Sequence, residues 1–290
     1  MRKIIVGVDE SPGAASALRW ATEEGSVRGW PVEAALAWGL LNQHHPKPDA
    51  PFDRDYCAED ALEALRTYVD DAVGPGGVSL RVTNDLPARG LIELADVEDA
   101  SLLVVGSRGF GGVRATLLGS VSYECVHRAT KPVVVVRDGM RHHQDARTPR
   151  VVVGIDSSPA ALEALTWAID EAVARRAELQ VVHAWQLPYV GTDIYGAMLT
   201  VKPDTFEDAA RQIVEQALAK VDTAGLEDRL LTAVVHDGPA SAVLAAAEHA
   251  DLVVVGARGA GGFKGLLLGS ASNQVVHHAP CPVVVVPAGR

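Results

Sequence analysis

The chain is written twice. Ile4-Ile5-Val6-Gly7-Val8-Asp9 recurs as Val151-Val152-Val153-Gly154-Ile155-Asp156, Ser11-Pro12 as Ser158-Pro159, Trp20-Ala21 as Trp167-Ala168 and Ala37-Trp38 as Ala184-Trp185, all at an offset of 147. A glycine-rich stretch and the runs Pro132–Val136 and Pro282–Val286 recur at an offset of 150. A duplication of this period means that each copy is a folding unit with its own core, and 290 residues suit two such domains. The boundaries read as a first domain at 1–137, a polar linker at 138–149 and a second domain at 150–290.

Within each copy the hydrophobic period alternates. In the first, apolar runs at 3–9, 32–38, 78–83, 102–105 and 132–136 predict buried strands. Between them, helical spacing appears after Ser11-Pro12, over Ala61–Ala72, at Leu91, Ile92 and Ala95, and over Ser120–Ala129. Ser11 suits a helix cap and Pro12 the first helical position. Five strands alternating with helices predict an α/β fold: two tandem, doubly wound, parallel five-stranded sheets of Rossmann-like type. Aromatics are sparse, and an apolar mass of Ala, Val and Leu agrees with parallel strands under helices. Ligands of such sheets sit at the carboxyl ends of the strands, where the strand order reverses.

The glycine-rich stretch lies at that end. It follows the fourth strand as Gly106-Ser107-Arg108-Gly109, continues through Gly111 and Gly112, and reaches Gly119-Ser120-Val121-Ser122. Its second copy is Gly256-Ala257-Arg258-Gly259, Gly261 and Gly262, and Gly269-Ser270-Ala271-Ser272. Gly, two residues, Gly, nine residues, Gly-Ser is common to both. Glycines let backbone N–H groups face a ligand, and a helix start adds unpaired N–H groups and a positive dipole end. Together they suit an anion such as phosphate. Any doubly wound sheet has glycine-rich turns. Here, however, the spacing is kept while the loops at 39–55 and 186–205 have diverged.

These motifs resemble the universal stress protein family, in a tandem form of actinobacterial type. Val-Gly-Val-Asp-x-Ser, Pro87-Ala88 and Pro239-Ala240, and the glycine pattern before a Pro-Val-Val-Val-Val run carry the resemblance, twice over. Both copies keep the glycine pattern of the family's ATP-binding branch. The resemblance implies one ATP per half. Asp9 and Asp156 would meet the ribose or the adenine edge, Gly7 and Gly154 would let the nucleotide approach the first strand, and Ala37 and Ala184 would pack on adenine. Gly106, Gly109, Gly256 and Gly259 would wrap ribose and phosphates, and Gly119-Ser120 and Gly269-Ser270 would hold phosphates, with Val121-Ser122 and Ala271-Ser272 at the same helix start. It also implies a role in stress and growth adaptation, and pairing of the terminal strands about a two-fold. From this follow pairing of the two halves within the chain, a homodimer through the terminal edge strands, and an unidentified signalling protein as partner.

Residue chemistry adds detail. Since Ser11 and Ser158 occupy the cap position, the Asp9 and Asp156 carboxylates read as spare for a ligand. Ser120 and Ser270 read as helix caps that are also anion contacts. Arg108 and Arg258 read equally as phosphate partners or solvated loop arginines. Mg²⁺ or Mn²⁺ could accompany the phosphates, although no residue demands a metal. The pairs His44-His45, His142-His143 and His277-His278 lack ligand spacing for one. The four repeated tryptophans read as packing residues. Cys57, Cys125 and Cys281 are scattered and form no CxxC.

Other functions lose ground. A formal charge of −11 without a basic run argues against nucleic acid. No apolar run approaches membrane-spanning length and no charged leader precedes the first strand, so the chain reads as cytoplasmic. Neither a Gly-x4-Gly-Lys-Ser/Thr loop, kinase signatures nor Gly-x-Ser-x-Gly occurs. The turn after the first strand, Asp9-Glu10-Ser11-Pro12-Gly13, lacks the dinucleotide fingerprint. No catalytic residue is assigned. The expected function is a nucleotide-dependent regulator, with a weak ATPase or an interaction module with vestigial sites as the alternatives.

Overall fold

The computed structural model describes residues 2–39, 41–45, 51–109, 118–139, 147–187, 203–259 and 268–288. The first half runs β1 (Ile4–Val8), α1 (Pro12–Arg28), β2 (Val32–Ala37), α2 (Ala58–Val73), β3 (Val78–Thr83), α3 (Pro87–Val97), β4 (Leu102–Gly106), α4 (Ser120–Arg128) and β5 (Val133–Val136). The second runs β6 (Arg150–Gly154), α5 (Pro159–Arg175), β7 (Glu178–Trp185), α6 (Pro203–Leu218), β8 (Leu230–His236), α7 (Pro239–Ala247), β9 (Leu252–Gly256), α8 (Ser270–His278) and β10 (Val283–Val286). Strands fall where apolar runs predict them, and helices where the period lengthens.

Each half is a parallel sheet, and the two join as one ten-stranded sheet in the order β3-β2-β1-β4-β5-β10-β9-β6-β7-β8. The join is antiparallel, with Val133, Val134 and Val135 opposite Val285, Val284 and Val283. All four residues of β5 and of β10 are buried, so an all-valine run makes sense there: both faces are under helices. The two halves thus pair through their last strands, as expected. A homodimer through those same strands is not available, because β5 already pairs with β4 and β10, and β10 with β9 and β5. Among the described residues, the edge strands of the sheet are β3 and β8.

One core lies under α1, α2, α5 and α6, and the other under α3, α4, α7 and α8. Cys125 and Cys281 belong to the second core, and burial pushes both thiols up to about 12. Helix α1 starts with the Ser11 hydroxyl accepting from Ala14 N at 3.2 Å, and α5 with Ser158 accepting from Ala161 N at 3.1 Å. Pro12 and Pro159 sit just inside, where a missing N–H costs no hydrogen bond.

Where α1 meets α5 the halves share a buried charge cluster. Arg28 Nε donates to Glu24 at 2.6 Å, and its Nη2 reaches Glu171 in the other half. Arg175 donates to Glu171 and reaches back to Glu24. Both glutamates are fully buried. Burial and the Glu171 charge push Glu24 up to about 7; burial opposes ionisation of Glu171 too, but Arg175 and Arg28 hold that carboxyl low. Arg28 lies 4.8 Å from the Trp30 ring and 5.3 Å from Trp167, and Arg175 lies 5.7 Å from Trp20. The repeated tryptophans therefore pack as expected, two of them against guanidinium groups at the seam. Of the others, Trp38 meets Tyr56 edge-on and Trp185 stacks on His236.

The joint between halves is only partly described. Asp138 accepts from Ser16 at 3.2 Å, and Arg147 pairs with Asp251 at 2.8 Å. His142-His143 lies outside the described residues.

Candidate functional site

The strand order reverses between β1 and β4, and again between β6 and β9. At the carboxyl ends of these pairs the parallel strands diverge into separate loops and leave a crevice. Asp9 follows β1 and Asp156 follows β6, each opposite a loop leaving β4 or β9.

The aspartates are less spare than their sequence context implies. Asp9 Oδ1 accepts from Ser11 N at 3.2 Å and from the Ser11 hydroxyl at 2.6 Å. Asp156 Oδ1 accepts from Ser158 N at 2.9 Å, while the Ser158 hydroxyl donates to the Arg258 carbonyl at 3.1 Å. One oxygen of each carboxylate thus fixes the turn that starts the helix. The other, Oδ2, faces the glycine loop. A Cβ on Gly109 would collide with Asp9 Oδ2, and one on Gly259 would stand 2.5 Å from Asp156 Oδ2. The second glycine of the pattern therefore lets the loop close on the carboxylate.

The first glycine has a different neighbour. A Cβ on Gly106 would lie 2.7 Å from the Gly13 backbone, and one on Gly256 2.7 Å from Ala160, so β4 and β9 end against the first turn of α1 and α5. Gly7 and Gly154, expected to admit a ligand, also make room for helices, and Gly154 lines the second-half cavity. The space of a Cβ there is taken by Leu91 of α3 at 2.6 Å and Val243 of α7 at 2.7 Å.

The start of α4 also departs from the expected roles. The cap residue is Gly119, without a side-chain capping bond, and Ser120 stands one place inside the helix, exposed. The same holds for Gly269 and Ser270 on α8. Gly119 N donates to Ser107 O and Gly269 N to Ala257 O, both at 2.7 Å, so those amides are used within the fold. Ser107 and Ala257 are buried, with their own amides bonded to Val136 O and Val286 O. Ser122 Oγ donates to backbone, 3.1 Å from Ser107 O and 3.0 Å from Gly119 O, and Ser272 Oγ donates to Gly256 O at 2.6 Å. These two buried hydroxyls pin the loop, and Ser272 also lines the second-half cavity. What the helix start offers is backbone: the first bond of the α4 ladder is Tyr123 N to Gly119 O, so the amides of Ser120, Val121 and Ser122 precede it. On α8 the ladder starts at Asn273, leaving Ser270, Ala271 and Ser272 in the same position.

In the second half these parts enclose a cavity of about 520 Å³. Its floor is apolar, with Val182, Ala184, Pro239, Val243 and Val255, and Asp156, Arg258, Gly259 and Ser270 also line it. Ala37 is the buried counterpart of Ala184 at the end of β2. Arg108 and Arg258 are both exposed. Gly111, Gly112, Gly261 and Gly262 lie outside the described residues. A slot with an apolar floor, one carboxylate and helix-start amides matches the parts of a nucleotide: flat base, ribose hydroxyls and phosphate.

Arg137 escaped the sequence reading. It donates to Val276 O in the other half at 2.6 Å, and burial, with the Arg108 charge beside it, holds its guanidinium below the usual arginine range. Its counterpart at offset 150 is Pro287, so only a difference between the copies marks it. The histidines stay apart: His44 meets Glu10 at 3.4 Å, and the His277 and His278 rings are 6.3 Å apart. Among the described residues no three metal-ligating side chains gather, and no helix is long and apolar enough to cross a membrane.

A family model described as the universal stress protein family matches residues 1–137 and 148–287. A universal stress protein of Mycolicibacterium smegmatis is 34% identical, over 98% of this chain and 96% of its own length. Universal stress protein Rv2623 of Mycobacterium tuberculosis is also 34% identical, over 97% and 95%. Among solved structures, a universal stress protein from Archaeoglobus fulgidus aligns over 99% of this chain and 98% of its own with a TM-score of 0.67, and at 22% identity that likeness concerns the fold.

Proposed function

The chain belongs to the universal stress protein family, and on that premise we propose that it binds one ATP in each half and acts as a nucleotide-dependent regulator in the cytoplasm. The observation that carries this reading is the second-half cavity, where an apolar floor, one carboxylate and the Ser270 helix start converge. Adenine would lie over Val182 and Ala184, the ribose hydroxyls would reach Asp156, and the phosphates would meet the amides of Ser270 and Ala271 beside Arg258. The first half carries the same parts at Asp9, Ala37, Arg108 and Ser120. The functional units are 1–137 and 150–290, joined by 138–149.

The parts favour holding over turnover. Asp9 and Asp156 each commit one oxygen to a turn, and sit at the ribose end of this placement rather than at the phosphates. Mg²⁺ or Mn²⁺ would travel with the phosphates. A regulatory nucleotide must bind two states of the protein unequally, and the second state here is the complex with an unidentified signalling protein.

Calorimetric titration with ATP and Mg²⁺ tests the proposal. Two ATP bound per chain, with turnover at the level of a buffer blank, is the expected result. Absence of binding would leave the fold as an interaction module, and steady hydrolysis lost in Asp9→Ala/Asp156→Ala would make it an ATPase.

A further inference from the structure

The halves differ beside the two aspartates. In the first, Tyr68 on α2 donates its hydroxyl to the Ser11 carbonyl at 2.6 Å. Glu10, held at a positive φ of 62°, meets His44 on the same side. This packs the flank of the turn that carries Asp9.

The second half is built otherwise. Val214 of α6 is buried like Val69 of α2, and the residue before it is Ile213 where Tyr68 precedes Val69. Ser157 stands in the place of Glu10. Isoleucine has neither the reach of a phenol nor a hydroxyl for the Ser158 carbonyl. A second cavity, of about 240 Å³, occupies the flank instead, walled by Pro159, Leu162, Ile213 and Ala217, with Gln216 and Lys220 also lining it. It shares Ile155, Asp156 and Ala161 with the larger cavity. Asp156 thus borders both cavities.

We infer that the second site accepts an adenine nucleotide whose ribose carries an apolar group of acyl size, and that the first site excludes it. The inference rests on the nucleotide reading above, which sets the ribose at Asp156. A substituent on a ribose hydroxyl there would pass the carboxylate into the Ile213 cavity, where apolar walls reward an acyl or aryl group. At Asp9 the same substituent would meet the Tyr68 ring, whose hydroxyl is anchored.

The probe is 2′(3′)-O-(N-methylanthraniloyl)-ATP, titrated by fluorescence into the full chain beside calorimetry with ATP. The expected result is two ATP but one probe molecule per chain, the probe site being lost in Gly259→Ala. Ile213→Tyr should lower probe affinity relative to ATP by about tenfold or more, in line with overpacking of a filled cavity, and Tyr68→Ile should create a second probe site. Equal probe binding in both halves, or an unchanged ratio in Ile213→Tyr, would overturn the inference while ATP still bound twice. ATP binding in neither half would remove the nucleotide reading, and this inference with it.

Discussion

Gly109→Ala and Gly259→Ala should each silence the nucleotide site of its own half and leave the other working. The added methyl fits only if the carboxylate of Asp9 or Asp156 moves, because each glycine is pressed against its Oδ2 atom while Oδ1 is tied to the turn. Overpacking of this kind costs about 1–3 kcal/mol. Borne by the closed loop alone, that is about a 5- to 150-fold loss of affinity. The same substitution at Gly119 or Gly269 should do much less. A Cβ at either position finds nothing nearer than 3.4 Å, and both residues have an extended backbone open to any side chain. Calorimetry with ATP on the four single variants separates the cases. Equal losses at all four would mean that the spacing pattern matters for a reason other than the contact with aspartate.

Glu171→Gln should be the most damaging single change away from the crevices. It leaves Arg28 and Arg175 buried at the seam with one carboxylate between them. Removing one partner of a buried ion pair costs about 3–5 kcal/mol, whereas replacing all partners with apolar residues is often neutral or stabilising. The quadruple variant Glu24→Leu/Arg28→Met/Glu171→Leu/Arg175→Met should therefore recover most of the loss. Urea unfolding of wild type, single and quadruple variants gives the comparison. A single variant within 1 kcal/mol of wild type would show that the cluster carries little of the contact between halves.

These two predictions draw on different amounts of sequence information. The alternation of strands and helices was legible because buried valine runs and capped helices are local signals. The pairing of halves was legible because two apolar terminal strands need covering. The location of the crevice followed from topology. What each glycine does was not legible: spacing marks Gly7, Gly106, Gly109 and Gly119 alike, yet they face a leucine, a helix backbone, a carboxylate and loop backbone at ordinary contact distance. The backbone bonds of Ser122 and Ser272 were not legible for a similar reason, since a serine in the first turn of a helix reads the same whether its hydroxyl points out or back to the strand. The seam cluster was present in the sequence as Glu24-x3-Arg28 and Glu171-x3-Arg175 at the common offset. Within one helix that spacing describes an ordinary surface pair, and only the crossing of α1 and α5 turns two such pairs into one buried quartet. Arg137 and Ile213 were invisible to a search for repeats because each is a place where the copies disagree.

The most direct test of the central claim is the nucleotide content of protein purified without added ligand. The protein is denatured and filtered, and the supernatant is run on ion exchange against adenine-nucleotide standards. The account predicts ATP close to two per chain, reduced to one in Gly259→Ala and to none in Gly109→Ala/Gly259→Ala. A supernatant free of nucleotide, from protein that also binds no ATP on titration, would contradict it.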